Sequence, residues 1–196
     1  MDVSASIELS EAQEARSENI IEIALEFSGM LRVFEEGSNV KIIPKLREFF
    51  KRLDSVKDKA EYDSAHAEFC SWFVANIRTA EKKLKNGEIK ASGACSYGHG
   101  AKVLDIAAKV YVYYCGQPSA EIAASLVPML HSGLDTPMMR LLDSGKATIQ
   151  EVDREHYEKL QALVASKIGG QGLHPVQYDD VMWRRLQRSQ RKSGGK

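Results

Sequence analysis

The feature that most constrains this chain is the recurrence of apolar residues at three- and four-residue intervals, cut repeatedly by helix stop and start signals. Behind Pro44, a residue suited to the first position of a helix, Leu46, Phe49, Phe50 and Leu53 form such a set. From Lys59 to Leu84 the set is Tyr62, Ala65, Phe69, Trp72, Phe73, Ala75, Ile77 and Ala80, closed by Lys82-Lys83-Leu84-Lys85-Asn86-Gly87, cations followed by an Asn-Gly stop. Ser119 can cap a helix over 120–131. Asp135-Thr136-Pro137 opens a short helix to Leu142, and Thr148-x-x-Glu151 is a capping box for a helix to about Ile168. Gly169 to Gly172 break that helix before a last one, from Tyr178 to about Arg191. Val110 to Tyr114 have the residue types of a strand, yet they continue the period of the residues before them and read as helix. The spacing predicts an all-α chain, a single compact domain of about eight helices with no convincing strand.

The chain is divided by charge as well. Residues 1–40 hold nine acids against Arg16 and Arg32. Glu14, Glu18, Glu22 and Glu26 share one stripe of a helix opposite the apolar run Ile20, Ile21, Ile23, Ala24, Leu25 and Phe27, with Ser10 as cap and Gly29 or the Gly37-Ser38-Asn39 turn as stop. This acidic helix is expected to be an appendage to a helical core over 41–177. A basic helix and frayed tail follow over 178–196; Trp183 to Lys192 hold five cations and no acid. The two ends complement each other and suit docking within the chain, between copies of it, or to a protein partner. Over the whole chain 27 Lys and Arg balance 27 Asp and Glu, which excludes a polybasic nucleic-acid coat protein and a charge-driven disordered chain, but not a local basic patch. The three cysteines, Cys70, Cys95 and Cys115, are odd in number and lack C-x-x-C spacing, so the expected setting is a reducing cytoplasm. The N-terminus has no basic and apolar secretory pattern, and no stretch approaches the roughly 20 apolar residues of a membrane span.

One segment carries more specific chemistry: SYGHGAKVLDIAAKVYVYYC, followed by VPMLHSGLDTPMMRLL. Gly98-x-Gly100 at a helix entrance allows a tight turn and exposes backbone N–H groups to an anion. Lys102 lies in the first turn of the helix from about Gly100 to Cys115, where the helix dipole and burial both lower an amine's pKa toward nucleophilicity. Asp135, 33 residues later, starts another helix. Two helix starts that converge would place an amine and a carboxylate in one cleft.

At these residues the chain resembles the helix-hairpin-helix DNA glycosylase superfamily, on Gly98, Gly100, Lys102, Asp135, Thr136 and Arg140. The long lysine-to-aspartate gap looks most like the archaeal 8-oxoguanine glycosylase branch. The pattern Gly98, Lys102, His131, Asp135 is also similar to small helical bacterial proteins without assigned activity. The resemblance covers roughly Ser96 to Leu142. It implies a helix-hairpin-helix centre, Lys102 attacking the sugar C1′ of an extruded nucleotide, and Asp135 stabilising the cationic sugar and assisting deprotonation of the amine. It also implies that the Gly98–His99–Gly100 hairpin grips a DNA phosphate, with Arg140 nearby. The family's Leu-Pro-Gly hairpin opening is replaced by Cys95-Ser96-Tyr97, and there is no four-cysteine iron–sulfur motif.

Plainer readings stand beside these. Lys102, Asp105 and Lys109 at i, i+3 and i+7 form a solvated polar stripe with pairs along the helix; Asp135 is an ordinary N-cap; Gly98 and Gly100 are turn glycines; Trp72, Tyr113, Tyr114 and Trp183 are core aromatics rather than base-stacking ones. His131 and Asp135 are separated by Gly133, and His66, His156 and His174 lack partners at ligand spacing, so no metal or cofactor is expected and these histidines belong at the surface or core edge. Arg184, Arg185 and Arg188, with the Lys41–Lys59 region, make a phosphate-binding footprint. Two functions follow: a base-excision glycosylase or an inactive DNA-binding relative, and a non-enzymatic helical interaction module or assembly subunit of a bacterial or phage system.

Overall fold

Helix starts follow the capping chemistry in the computed structural model, which describes residues 8–83, 86–143 and 148–193, with 189–193 as backbone only. Asp58, Ser96, Ser119, Asp135 and Asp153 each accept a hydrogen bond from the backbone N–H three residues on, starting α3 (Lys59–Asn76), α4 (Tyr97–Ala108), α5 (Ala120–Leu126), α6 (Thr136–Leu142) and α7 (Arg154–Ile168). α1 (Leu9–Phe27) begins ahead of the expected Ser10 cap, with no side-chain bond at Glu8. The Thr148–Glu151 box forms as expected but caps a single 3-10 turn over Ile149–Glu151; Asp153 then starts α7. α8 runs Pro175–Ser193, and residues 194–196, expected to fray, lie outside the described residues. The product is an all-α fold with eight α-helices among the described residues.

Three local expectations are corrected. α2 (Ser38–Arg52) starts from Gly37, which takes the left-handed φ of 78°, so Pro44 lies inside the helix. There it removes one bond to the carbonyl of Val40, a residue 71% exposed and so open to water. α3 stops at Asn76 instead of reaching Leu84, because Ile77 turns extended and becomes buried. The chain beyond it forms two small antiparallel ladders: β1 (Arg78–Thr79) with β4 (Gly93–Ala94), and β2 (Lys82–Lys83) with β3 (Ile89–Lys90). Leu84 and Lys85, within the expected helix end, lie outside the described residues. Val110–Tyr114 is helical, as expected, but within a π-helical turn over Lys109–Tyr114 that prolongs α4.

The core is one cluster, and α4 runs through it, packed most extensively against α3 and also against α1, α2 and α7. α1 is part of this core and not an appendage: Ile20, Ile21, Ala24 and Leu25 are buried in it. The expected boundary at 177/178 is likewise no break, since Val176 of α8 is fully buried in the same cluster. Every residue of α4 is buried except Lys102 and Ile106. Two glycines permit this crowding. A Cβ at Gly98 would lie 2.7 Å from both the Ile149 carbonyl oxygen and Val152 Cβ, and one at Gly100 would lie 2.9 Å from Phe73 Cβ. Among the described residues no helix is long and apolar enough to cross a membrane.

Candidate functional site

The one uncovered stripe of α4 faces a hollow of about 550 Å³, lined by Lys102, Ile106 and Lys109 from α4 and its π-turn, Asp135 before α6, and Asp179 and Trp183 from α8. The expected amine and carboxylate therefore do look into the same space. Lys102 makes no hydrogen bond or ion pair among the described residues, whereas Asp135 Oδ1 accepts the Met138 N–H at 2.8 Å. Burial lowers the Lys102 pKa below its ordinary value; Asp135 opposes this and Arg32 adds to it. Lys109 behaves differently. Burial would lower it too, but Asp179 Oδ2 at 2.8 Å and Asp180 Oδ1 at 2.6 Å raise it and hold it charged. The hollow thus holds one lysine pinned by carboxylates and one, Lys102, without a side-chain partner among the described residues, whose charged form burial disfavours. At its rim Tyr114 and Trp183 are 51% and 48% exposed, too open for the core role expected of them, and Arg184 joins them. Flat aromatic faces beside a guanidinium suit a nucleobase and a phosphate.

The glycine hairpin is not there. Gly98, His99 and Gly100 are buried inside the first turn of α4. Their N–H groups are already used: Gly98 donates to the Val152 carbonyl at 2.9 Å, and His99 and Gly100 donate to the Ser96 carbonyl at 3.2 and 3.5 Å. These three residues therefore offer a phosphate nothing, which corrects the expected DNA grip and the helix-hairpin-helix centre built on it. His99 instead completes the cap of α4: its Nδ1 accepts the Ser96 N–H at 3.0 Å, while its Nε2 is buried with no hydrogen-bond partner among the described residues. Burial, then Lys102 and Lys90, push its pKa down to about 4. Arg140 is exposed on α6 but does not line the hollow. Arg185 and Arg188 are exposed near Arg184 on α8, and the side chains of Arg191 and Lys192 lie outside those described. The Lys41–Lys59 region is not a free basic face, since Lys45, Arg47, Arg52 and Lys59 pair with Glu48, Glu18, Glu68 and Asp63.

The expected solvated stripe of Lys102, Asp105 and Lys109 is also corrected: Asp105 and Lys109 are buried. Asp105 enters a cluster that sequence spacing did not reveal. His66 Nε2 lies 2.9 Å from Asp105 Oδ1, and His131 Nδ1 lies 3.9 Å from the same oxygen. The Tyr157 hydroxyl sits among them, 2.8 Å from Asp105 Oδ2, 3.2 Å from His66 Nε2 and 2.8 Å from His131 Nδ1. All four residues are buried, so His66 is not the surface or core-edge residue expected. His131 Nε2 reaches outward to Asp63 Oδ1 at 2.7 Å and Lys59 Nζ at 2.7 Å, at the floor of a cleft of about 930 Å³ between α3 and α7. Burial would raise Asp63, but its bonds to His131 and Lys59 bring it down to about 2. Burial likewise pulls His66 down, yet Cys70 and Asp105 prevail and raise it to about 10.

An all-α protein with an amine–carboxylate hollow on one side of its central helix and a buried histidine–carboxylate cluster on another is the class that fold and sites define. Comparison with family models, curated proteins and solved structures gave no match to the chain.

Proposed function

We propose that the Lys102–Asp135 hollow accepts an extruded nucleotide and that the protein is a DNA base-excision glycosylase acting through a lysine Schiff base. One observation carries the reading: α4 is covered everywhere except along the stripe bearing Lys102, and that stripe faces Asp135. Burial lowers the Lys102 pKa from its ordinary value, which favours the neutral amine that a nucleophile requires. Its Nζ lone pair forms a bond to C1′, and the glycosidic bond breaks, its electron pair leaving with the base, which takes up a proton. Asp135 stabilises the cationic sugar and receives the proton shed by the amine. The C1′–O4′ bond then breaks as the Nζ lone pair forms the iminium to C1′, and O4′ leaves with the bond's electron pair and takes the proton back from Asp135. Trp183 and Tyr114 stack on the extruded base, and Arg184, Arg185 and Arg188 hold the strand in place of the missing glycine grip.

The test is borohydride trapping on a panel of oligonucleotides carrying modified bases or an abasic site. The wild type should yield a covalent adduct on at least one member, Lys102→Gln none, and Asp135→Asn a slower one. Absence of any wild-type adduct, together with unchanged DNA affinity in Lys102→Gln, overturns the reading. The second reading, a helical interaction module, is favoured by Leu9, Ile23 and Phe27, which are 76%, 59% and 61% exposed on the acidic α1. It predicts salt-sensitive association in sedimentation, and a strict monomer at low salt counts against it.

A further inference from the structure

We propose that His66, Asp105 and His131, completed by the Tyr157 hydroxyl, form a binding site for one divalent transition metal, zinc by its ligand set. This site lies in a different cavity from the amine hollow and does not depend on the glycosylase reading. The donor atoms of the two histidines and the aspartate all lie within 4.8 Å of one another. With the phenol oxygen and both Asp105 oxygens they make a five-atom set: Asp105 Oδ1 lies 2.9 and 3.9 Å from His66 Nε2 and His131 Nδ1, and the phenol oxygen lies 2.8, 3.2 and 2.8 Å from Asp105 Oδ2, His66 Nε2 and His131 Nδ1. Bonds of roughly 2.0–2.1 Å to a tetrahedral zinc require donor separations of about 3.4 Å, in the middle of that range.

The surroundings are those of a metal ligand shell. A histidine bound through one ring nitrogen usually gives the other N–H to a carboxylate, which fixes its tautomer and raises its basicity. His131 turns Nδ1 to the cluster, and its Nε2 meets Asp63 at 2.7 Å. His66 turns Nε2 to the cluster, with its Nδ1 3.7 Å from Cys70 Sγ. Asp105 is buried and has no lysine or arginine partner among the described residues; protonated His66 at 2.9 Å is its countercharge when no metal is bound. A dication takes over that role and displaces the His66 proton, so zinc binding releases a proton. Mixed imidazole and oxygen donors with no thiolate among the ligands suit zinc, iron or nickel better than calcium or magnesium. His66, His131 and Tyr157 also line the 930 Å³ cleft, so the metal has a path of entry. Without a metal, the same atoms would form a hydrogen-bonded hub centred on the Tyr157 hydroxyl. The two states differ in whether metal binds and in what removing the outer carboxylate does.

The experiment strips the full-length protein with EDTA, titrates zinc chloride by calorimetry and counts bound metal by mass spectrometry after dialysis. The expected result is one zinc per chain, with Asp63→Asn weakening affinity by about 10- to 100-fold, as loss of an outer carboxylate does. Asp63 is half-buried at the cleft, so this variant keeps its fold even if a direct-ligand variant does not. His131→Ala should abolish binding. Lys102→Gln and the double surface variant His156→Ala/His174→Ala should bind zinc as the wild type does. No zinc bound by folded wild-type protein at micromolar concentrations overturns the proposal. So does binding that Asp63→Asn and His131→Ala leave unchanged, or that the surface double variant removes.

Discussion

Acidification from pH 7 to pH 4 should remove about 3 kcal/mol of stability through His99 alone. In the unfolded chain a histidine titrates near 6.5; in the folded protein His99 resists protonation down to about 4. A base whose folded pKa is depressed contributes stability that is present above the unfolded value and is lost as pH falls toward the folded one. The window is therefore 6.5 down to 4, and at 1.36 kcal/mol per pH unit the integrated loss at pH 4 is about 3 kcal/mol. The structural cause is specific: the Nδ1 that would take the proton already accepts the Ser96 N–H, so the cation must break the cap of α4 beside Lys102. His99→Gln is the informative variant, because glutamine completes the same capping box and does not titrate. Urea unfolding followed by circular dichroism at pH 7, 6, 5 and 4 gives two stability curves. All other titrating groups are common to both, so the wild-type curve should fall by about 3 kcal/mol relative to the variant. Two curves that stay parallel would refute the reasoning.

Gly98→Ala and Gly100→Ala should each destabilise by about 1–3 kcal/mol through overpacking against Val152 and Phe73, despite alanine's better helix propensity. Thermal melts report this as a lower midpoint, and a raised one would mean that the packing relaxes freely. Lys109→Met should cost about 3–5 kcal/mol in urea unfolding, because it strands the Asp179 carboxylate in a largely buried site beside Asp180. A loss under about 1 kcal/mol would show that water reaches and screens those carboxylates.

Local chemistry was legible in the sequence and tertiary chemistry was not. Ser119 and Asp135 announced their helices because a cap is a three-residue relation, and Val110–Tyr114 could be read as helix because the period ran on through it. The two-residue ladders left no mark, since a strand that short has no alternation to detect. Lys102 and Asp135 could be paired as residues of two helix starts and by a resemblance, but whether those starts converge is a tertiary matter; the structure places both on one hollow. His66, Asp105, His131 and Tyr157 come from three helices and a loop, so no spacing rule relates them. Asp105 misled for a further reason. A polar position in a helical period looks the same whether it faces water or a buried partner, and here it faces imidazoles. Gly98 and Gly100 suggest an anion-receptive turn by type, but the type serves equally where two backbones must press together, and the bulk of Val152 and Phe73 decides the matter.

The near-complete enclosure of α4 leaves this helix little latitude for neutral drift. Most helices keep an outer side where residues can be exchanged freely; here ten of twelve positions are buried, and Lys102 and Ile106 border a cavity. Variation in sequence should therefore gather on α1, α2 and the outer face of α8, while the stretch from Tyr97 to Ala108 changes only when its neighbours change with it.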